Sequence, residues 1–389
     1  MRRVLMLAVV ALGAMVAGPA GAAAAPPPVK HVVVIWLENK NYVETFGADT
    51  KAEYFTGDLV RRGQLLTNYY ATGHLSLDNY ISVVSGQPPN AETQADCNRF
   101  TDFKGTVGAD GIAVGQGCVF PPEVKTVADQ LEAAGLTWKG YMEDMANGEG
   151  QARSCRHPEI NGDDPTQQAR VGDQYAARHN PFVYFHSVID RPSCAANDVD
   201  LRALPGDFAR VETTPNFAFI TPNLCNDGHD APCVDGRPGG LESADAWLRE
   251  WVPRILDAPA MKQDGLLMVT FDEAEAGPPN PDASACCNEP SGPNTPNPGG
   301  PVPGAGGGRI GAVVVSPWVQ PGSTNPTAYN HYSFLRSVED LFGLAHLGYA
   351  APPDLRAFGD DVYGGPGPGA PAPPGGGGGG GGGDDGGGG

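Results

Sequence analysis

Residues 31–39, HVVVIWLEN, hold a continuous apolar run from Val32 to Leu37 that stops abruptly at Glu38 and Asn39. Such a run, largely β-branched, suits a central strand of a parallel sheet, buried on both faces. The carboxyl end of such a strand is where open α/β sheets place their ligands. A carboxylate and an amide at that point suit a hard cation or a phosphate oxygen. The same pattern also fits a strand that simply ends in a polar turn.

Residues 1–25 read as a signal peptide. Arg2 and Arg3 precede an apolar segment, Val4 to Val16, too short to span a bilayer comfortably, and small residues from Ala20 to Ala25 offer a cleavage site before Pro26. The expectation is an exported protein without stable membrane insertion, acting as a monomer. Of the 389 residues roughly 360 then remain, enough for one large α/β domain over 26–362. The formal charge of −20, about −22 without Arg2 and Arg3, argues against nucleic acid or an anionic membrane as a standing partner.

All eight cysteines lie in the exported part, where an even count reads first as disulfides. Cys97–Cys118, Cys155–Cys194 and Cys225–Cys233 are the sequence-local pairings, while the adjacent Cys286 and Cys287 could join only with strain. The stretch 277–308 is rich in Pro and Gly and reads as a long surface loop. The Gly/Pro-rich tail 363–389 cannot bury apolar surface and is expected to be disordered.

Between these segments, strand-like and helix-like stretches alternate. Strands are expected at 31–37, 64–70, 136–142, 215–221, 265–271 and 311–316, and helices at 51–62, 78–85, 124–134, 165–177, 241–257 and 332–342. This alternation predicts an α/β fold with a mostly parallel central sheet and helices on both faces.

Polar clusters follow several of the strands. FAFITPN runs into Asn223, Asp227, His229 and Asp230; GLLMVTFDE ends at Asp272 and Glu273; WKGYMED ends at Glu143 and Asp144; His331 opens a helix after Asn330. In a parallel sheet these ends share one edge, so Glu38, Asp272, Glu273, His229 and His331 could converge. Carboxylates so gathered repel one another unless protonated or neutralised by a cation. A mixed oxygen and imidazole set suits zinc, manganese, iron or magnesium, or calcium where oxygens dominate. Each pair also fits a solvated turn or a helix cap. In ATGHLSLDNYISVVSG, Ser76 sits just before a helix, where N-terminal amides welcome a phosphate, and His74 and Asn79 are close enough in sequence to polarise an oxygen. Ser76 or Asp78 could equally serve as a cap. The chain has neither a G-x-S-x-G elbow nor a P-loop.

The motifs HVVVIWLENKNY, ATGHLSLDNYISVVSG, ARHNPFVYF, FITPNLCNDGHD, VTFDE and YNHYSFLRSVEDLFGL, in this order, resemble the bacterial phosphoesterase family of the alkaline phosphatase superfamily. The likeness is to secreted acid phosphatases of the phosphatidylinositol-3-phosphatase type. It implies an alkaline-phosphatase-like sandwich, with a divalent cation at Glu38, Asn39, Asp272 and Glu273. It implies Ser76 as nucleophile, with His229, His331 and His74 in catalysis and Asn39, Asn79 and His179 on phosphate. Asn223 stands where two-metal members often carry Asp, unless Asp227 takes that role, and Glu273 replaces a usual histidine; both favour one cation. The implied activity is hydrolysis of phosphomonoesters, including phosphoinositide lipids, through a phosphoserine. A phospholipase C-type phosphodiesterase and a non-catalytic metal- or phosphoinositide-binding protein are the competing readings.

Overall fold

The computed structural model describes residues 25–288 and 290–368. The segment expected to be a signal peptide lies outside the described residues but for Ala25, and so does the tail beyond Pro368. Among the described residues ten strands are formed: β1 (His31–Leu37), β2 (Gln64–Tyr70), β3 (Lys104–Val107), β4 (Ala113–Gln116), β5 (Trp138–Met142), β6 (Asp198–Asp200), β7 (Phe217–Thr221), β8 (Gly265–Phe271), β9 (Ala312–Val315) and β10 (Ser323–Asn330). Eight of them build one sheet in the order β10-β2-β9-β8-β1-β7-β5-β6, and β3 with β4 makes a separate hairpin. Every pairing in the large sheet is parallel except those of β9, which runs antiparallel between β2 and β8.

Every residue of β1, β7 and β8 is buried, so both faces of the sheet centre are covered. That is why these strands read as unbroken apolar runs rather than alternating ones. Helix α1 (Ser76–Ser85), helix α2 (Val127–Ala133), helix α3 (Gly240–Leu256) and helix α4 (His331–Phe342) match four expected segments. The helix expected over 51–62 forms as a wider turn at Tyr54–Leu59 followed by Val60–Arg62.

The helix expected over 165–177 is absent. There Asp164 Oδ1 accepts hydrogen bonds from the Thr166 amide (2.8 Å) and hydroxyl (2.7 Å), a local turn that competes with a helical ladder. Arg170 and Asp173 then pair antiparallel, and Gly172 turns through φ +84°. Strand β10 lies outside the expected strands; its Pro326 is accommodated on the sheet edge at a register shift between Asn325 and Ala328.

The three sequence-local disulfides form, and Cys286 is joined to Cys287. The ordered chain also continues past the boundary expected at 362, since the Gly365 and Gly367 amides donate to the Trp318 and Pro317 carbonyls. The Pro/Gly-rich loop lies against residues 71–74: the His74 amide donates to the Pro298 carbonyl (3.0 Å) and the Gly307 amide to Ala71 (3.2 Å). A Cβ at Gly307 would fall on the Gly73 carbonyl, so only glycine permits that approach. No helix among the described residues is long and apolar enough to cross a membrane.

Candidate active site

Strand register assembles the site. β1 pairs with β8 with Leu37 opposite Phe271, so Glu38 and Asp272 leave the sheet side by side. The Asp272 amide donates to the Leu37 carbonyl (2.8 Å), and the Asn39 amide, at φ +55°, donates to Asp272 Oδ1 (2.9 Å). On its other side β1 pairs with β7, and the Glu38 amide reaches the Asp227 carbonyl at 2.9 Å.

Glu38 is the hub of this edge. Its Oε2 accepts from Ser76 Oγ at 2.7 Å and its Oε1 from the Tyr80 hydroxyl at 2.5 Å. Ser76 and Tyr80 stand one turn apart on α1, so a single helix face meets the carboxylate. The Tyr80 ring stacks flat on His179, 5.4 Å between centroids. His179 Nδ1 pairs with Asp227 Oδ2 at 3.1 Å, while its Nε2 lies 3.3 Å from Glu38 Oε2 without hydrogen-bond alignment.

These side chains suit a cation. One ligand atom each from Glu38, His179 and Asp227 fall within 4.8 Å of one another, and all three residues are buried. With Nδ1–H given to Asp227, the Nε2 lone pair of His179 is left over, the usual arrangement of a carboxylate-oriented metal ligand. His179 Nε2 and Asp272 Oδ2 are both buried without a hydrogen-bond partner. Burial, then the charges of Asp272 and Asp227, pushes the Glu38 carboxyl well above its ordinary range. Burial pushes Asp227 up to about 8 and raises Asp272 as well, although the Asn39 amide opposes the latter. Burial, helped by Arg178 and His229, holds His179 well below the normal imidazole range, which keeps it neutral and able to ligate. A cation would offset the mutual repulsion of the three carboxylates.

The other residues singled out in the sequence take different positions. Glu273 pairs with His74 Nδ1, and His74 Nε2–H donates to the Asp282 carbonyl at 2.9 Å, so the two occupy each other beside the loop. Asn79 does not present its amide to an open site. Its Oδ1 accepts from the Thr72 and Gly73 amides (3.0 and 3.1 Å) and its Nδ2 donates to the Gly73 and Leu75 carbonyls (2.9 and 3.2 Å). The loop before Ser76 uses the whole side chain. His331 is fully buried, with Nε2–H donating to the Asp272 carbonyl (2.6 Å) and Nδ1 accepting from the Tyr69 hydroxyl (3.2 Å); burial pushes it down to about 3. It is a neutral prop for Asp272.

His229 follows Asp227, whose Oδ1 accepts the His229 amide at 2.8 Å. Its Nδ1 pairs with Asp230 at 2.8 Å, and its side chain is 32% exposed. Asn223 is held by Glu143 and Asp144, so Asp227 and not Asn223 joins the ligand group.

The sequence profile of the Phosphoesterase family matches residues 49–345. The chain belongs to the phosphoesterase family. Within it, the chain is 27% identical to a probable acid phosphatase of Kluyveromyces lactis, over 82% of this chain and 59% of that one. It is 28% identical to an acid phosphatase of Aspergillus fumigatus, over 81% of this chain and 55% of the other. A phosphatidylinositol-3-phosphatase of Mycobacterium tuberculosis is 25% identical over 87% of this chain and 86% of its own. This chain thus spans little more than half the length of the two fungal proteins. Among solved structures, a protein of the alkaline phosphatase superfamily from Vibrio parahaemolyticus covers 83% of this chain and 69% of itself, at 13% identity and a TM-score of 0.48.

The motifs that carry the phosphoesterase resemblance cover strand ends, the first turns of α1 and α4, and the stretch around His179. Tyr80 and Arg178, which complete the surroundings of Glu38 and His229, lie inside two of those motifs, ATGHLSLDNYISVVSG and ARHNPFVYF, but are not among the site residues expected from the sequence.

Proposed function

We propose that this chain is an exported, metal-dependent phosphomonoesterase that works through a phosphoseryl intermediate on Ser76. The observation that carries the reading is the hydrogen bond from Ser76 Oγ to Glu38 Oε2, 2.7 Å, on the border of the Glu38–His179–Asp227 group. The names of the fungal and mycobacterial relatives support the phosphatase part of this reading.

Glu38, His179 and Asp227 would hold one divalent cation, with Asp272 Oδ2 and the half-buried Asn39 side chain beside them. Such a cation supplies positive charge that favours the serine alkoxide and draws electron density from phosphorus. Ser76 Oγ passes its proton to Glu38 and attacks phosphorus in line, forming the Oγ–P bond as the ester P–O bond breaks. His229 delivers a proton to the departing alkoxide. Burial works against a charge on His229, but the hydrogen bond to Asp230 and the nearby Asp227 raise its pKa and keep it protonated in mild acid. His74 is the weaker choice of acid, since it is fully buried and engaged through both nitrogens. Water then attacks the phosphoserine and yields its proton to His229. Phosphate leaves as Ser76 recovers its proton from Glu38.

The substrate class is a phosphomonoester, and the mycobacterial relative's name makes a 3-phosphorylated phosphoinositide one candidate. Hydrolysis of a panel of phosphomonoesters, a phosphoinositide and phosphatidylcholine, after chelation and after metal add-back, tests the reading. Monoester turnover that chelation abolishes and metal restores is expected. Turnover of phosphatidylcholine without monoester hydrolysis, or binding without any turnover, would overturn it.

A further inference from the structure

Arg178 is a buried cation with few partners. Its side chain is 4% exposed, yet the carboxylate nearest to it, Asp96 Oδ2, stays 3.8 Å away. Among the described residues, its side-chain hydrogen bonds are one from a terminal nitrogen to the Gln167 carbonyl (3.2 Å) and a 3.5 Å approach of the other to His229 Nε2. A guanidinium offers five N–H donors in a planar fork, and a buried one with so little to donate to is costly.

Two of these contacts, to Asp96 and His229, lead to Ser76 and the ligand group. Asp96 Oδ1 accepts the Leu77 amide at 3.0 Å, one residue beyond the proposed nucleophile. His229 is tied through its amide to Asp227, and His179 follows Arg178 directly in the chain. The fork therefore stands between the first turn of α1 and the loop that carries Asp227 and His229. Elsewhere the surroundings are anionic: Glu38, Asp78, Asp227, Asp272 and Glu273 are all buried. A phosphoryl dianion brought to Ser76 in such company needs a cationic donor, and planar bidentate donation to phosphate oxygens is what a guanidinium does better than an ammonium.

We infer that Arg178 is a phosphate-binding residue of this site, held loosely by Asp96 in the free protein and donating to the non-bridging oxygens when the phosphoryl group arrives. The inference rests on the phosphomonoesterase reading and names the residue that recognises the transferred group. Asp96 and the bound anion compete for the same fork: the carboxylate at 3.8 Å keeps the guanidinium in place without saturating it.

The test is calorimetric titration of inorganic phosphate into the full chain with excess magnesium, for wild type, Arg178→Lys and Arg178→Gln, with melting curves for each. Arg178→Gln is expected to weaken phosphate binding about 10- to 100-fold, the worth of a charge-assisted hydrogen bond or two. Arg178→Lys, which keeps the charge and loses the fork, should fall between the two. A folded Arg178→Gln that binds phosphate as wild type does would overturn the inference, even if it melts earlier, because Arg178 would then only neutralise the acidic cluster. If Arg178→Gln fails to fold, Arg178→Lys carries the test, and undiminished phosphate affinity in it overturns the inference. Absence of phosphate binding in wild type overturns it as well. Arg178-dependent phosphate binding with no monoester turnover would sink the phosphomonoesterase reading alone.

Discussion

Ser76 donates its hydroxyl proton to Glu38 Oε2 at 2.7 Å across 38 residues of sequence, joining the first turn of a helix to the end of the central strand. The bond places a hydroxyl against a carboxylate that, with no cation bound, burial and then the charges of Asp272 and Asp227 hold well above its ordinary range. If Ser76 is the nucleophile, Ser76→Ala should lower kcat for a chromogenic phosphate ester by roughly 10³-fold or more. The change removes one oxygen from a buried position whose partner has a second donor in Tyr80, so the melting temperature should move little. Steady-state kinetics beside calorimetry checks both halves, and retained turnover would remove Ser76 from the mechanism.

Glu38, Asp227 and Asp272 lie together without solvent to screen them. A divalent cation bound at this edge should stabilise the fold by mass action, about 2.7 kcal/mol at a hundredfold excess over its Kd. Asp227→Asn removes one charge and one ligand oxygen. It should lose most of the metal-dependent rise in Tm, while its metal-free Tm stays at or above that of the wild type because a repulsive charge is gone. Thermal scans with and without magnesium or manganese measure this. An undiminished metal-dependent shift in Asp227→Asn would place the cation elsewhere.

The strands that bring these groups together were readable because they are buried on both faces. The runs at 31–37 and 265–271 appear at the residues expected, and their parallel register alone sets Glu38 beside Asp272. The polar pairs that end the strands were therefore informative. What each polar side chain does was harder to read, because it depends on which atoms the backbone has already taken. Asn79 looked like a phosphate contact by position, yet its amide is filled by loop groups at Thr72, Gly73 and Leu75. Asp227, named in the sequence as an alternative to Asn223, falls in the candidate cation group, while Glu143 and Asp144 hold Asn223. Residues 165–177 failed as a helix for a related reason: Asp164 and Thr166 satisfy each other locally.

The Asn79 amide gives a prediction that separates scaffold from chemistry. Asn79→Ala should leave the buried amides of Thr72 and Gly73 without their acceptor and destabilise the protein by about 2–4 kcal/mol. Because the loop leads directly into Ser76, kcat should fall with it, while the metal-dependent shift in Tm persists. Denaturant unfolding and the same thermal scans decide it. A stable Asn79→Ala with a selectively raised KM would instead return Asn79 to phosphate binding.

His186 provides a pH dependence remote from the site. Its Nε2 meets Asp102 at 2.9 Å and its Nδ1 meets Asp190 at 3.0 Å, an arrangement that both carboxylates favour only when the ring is protonated. Burial opposes the charge, but hydrogen bonds to Asp190 and Asp102 outweigh it and raise the pKa above the ordinary histidine value. A raised folded-state pKa contributes stability that is complete below the unfolded value, about 6.5. That contribution is lost as pH climbs through the folded value. His186→Gln should therefore lower stability in mild acid by at most about 1 kcal/mol, since Asp190 is exposed, Asp102 is partly so, and solvent screens the pair. The difference from wild type should shrink toward alkaline pH. Urea unfolding of both proteins at several pH values measures it, and a deficit that grows with pH would show that the ring acts in its neutral form.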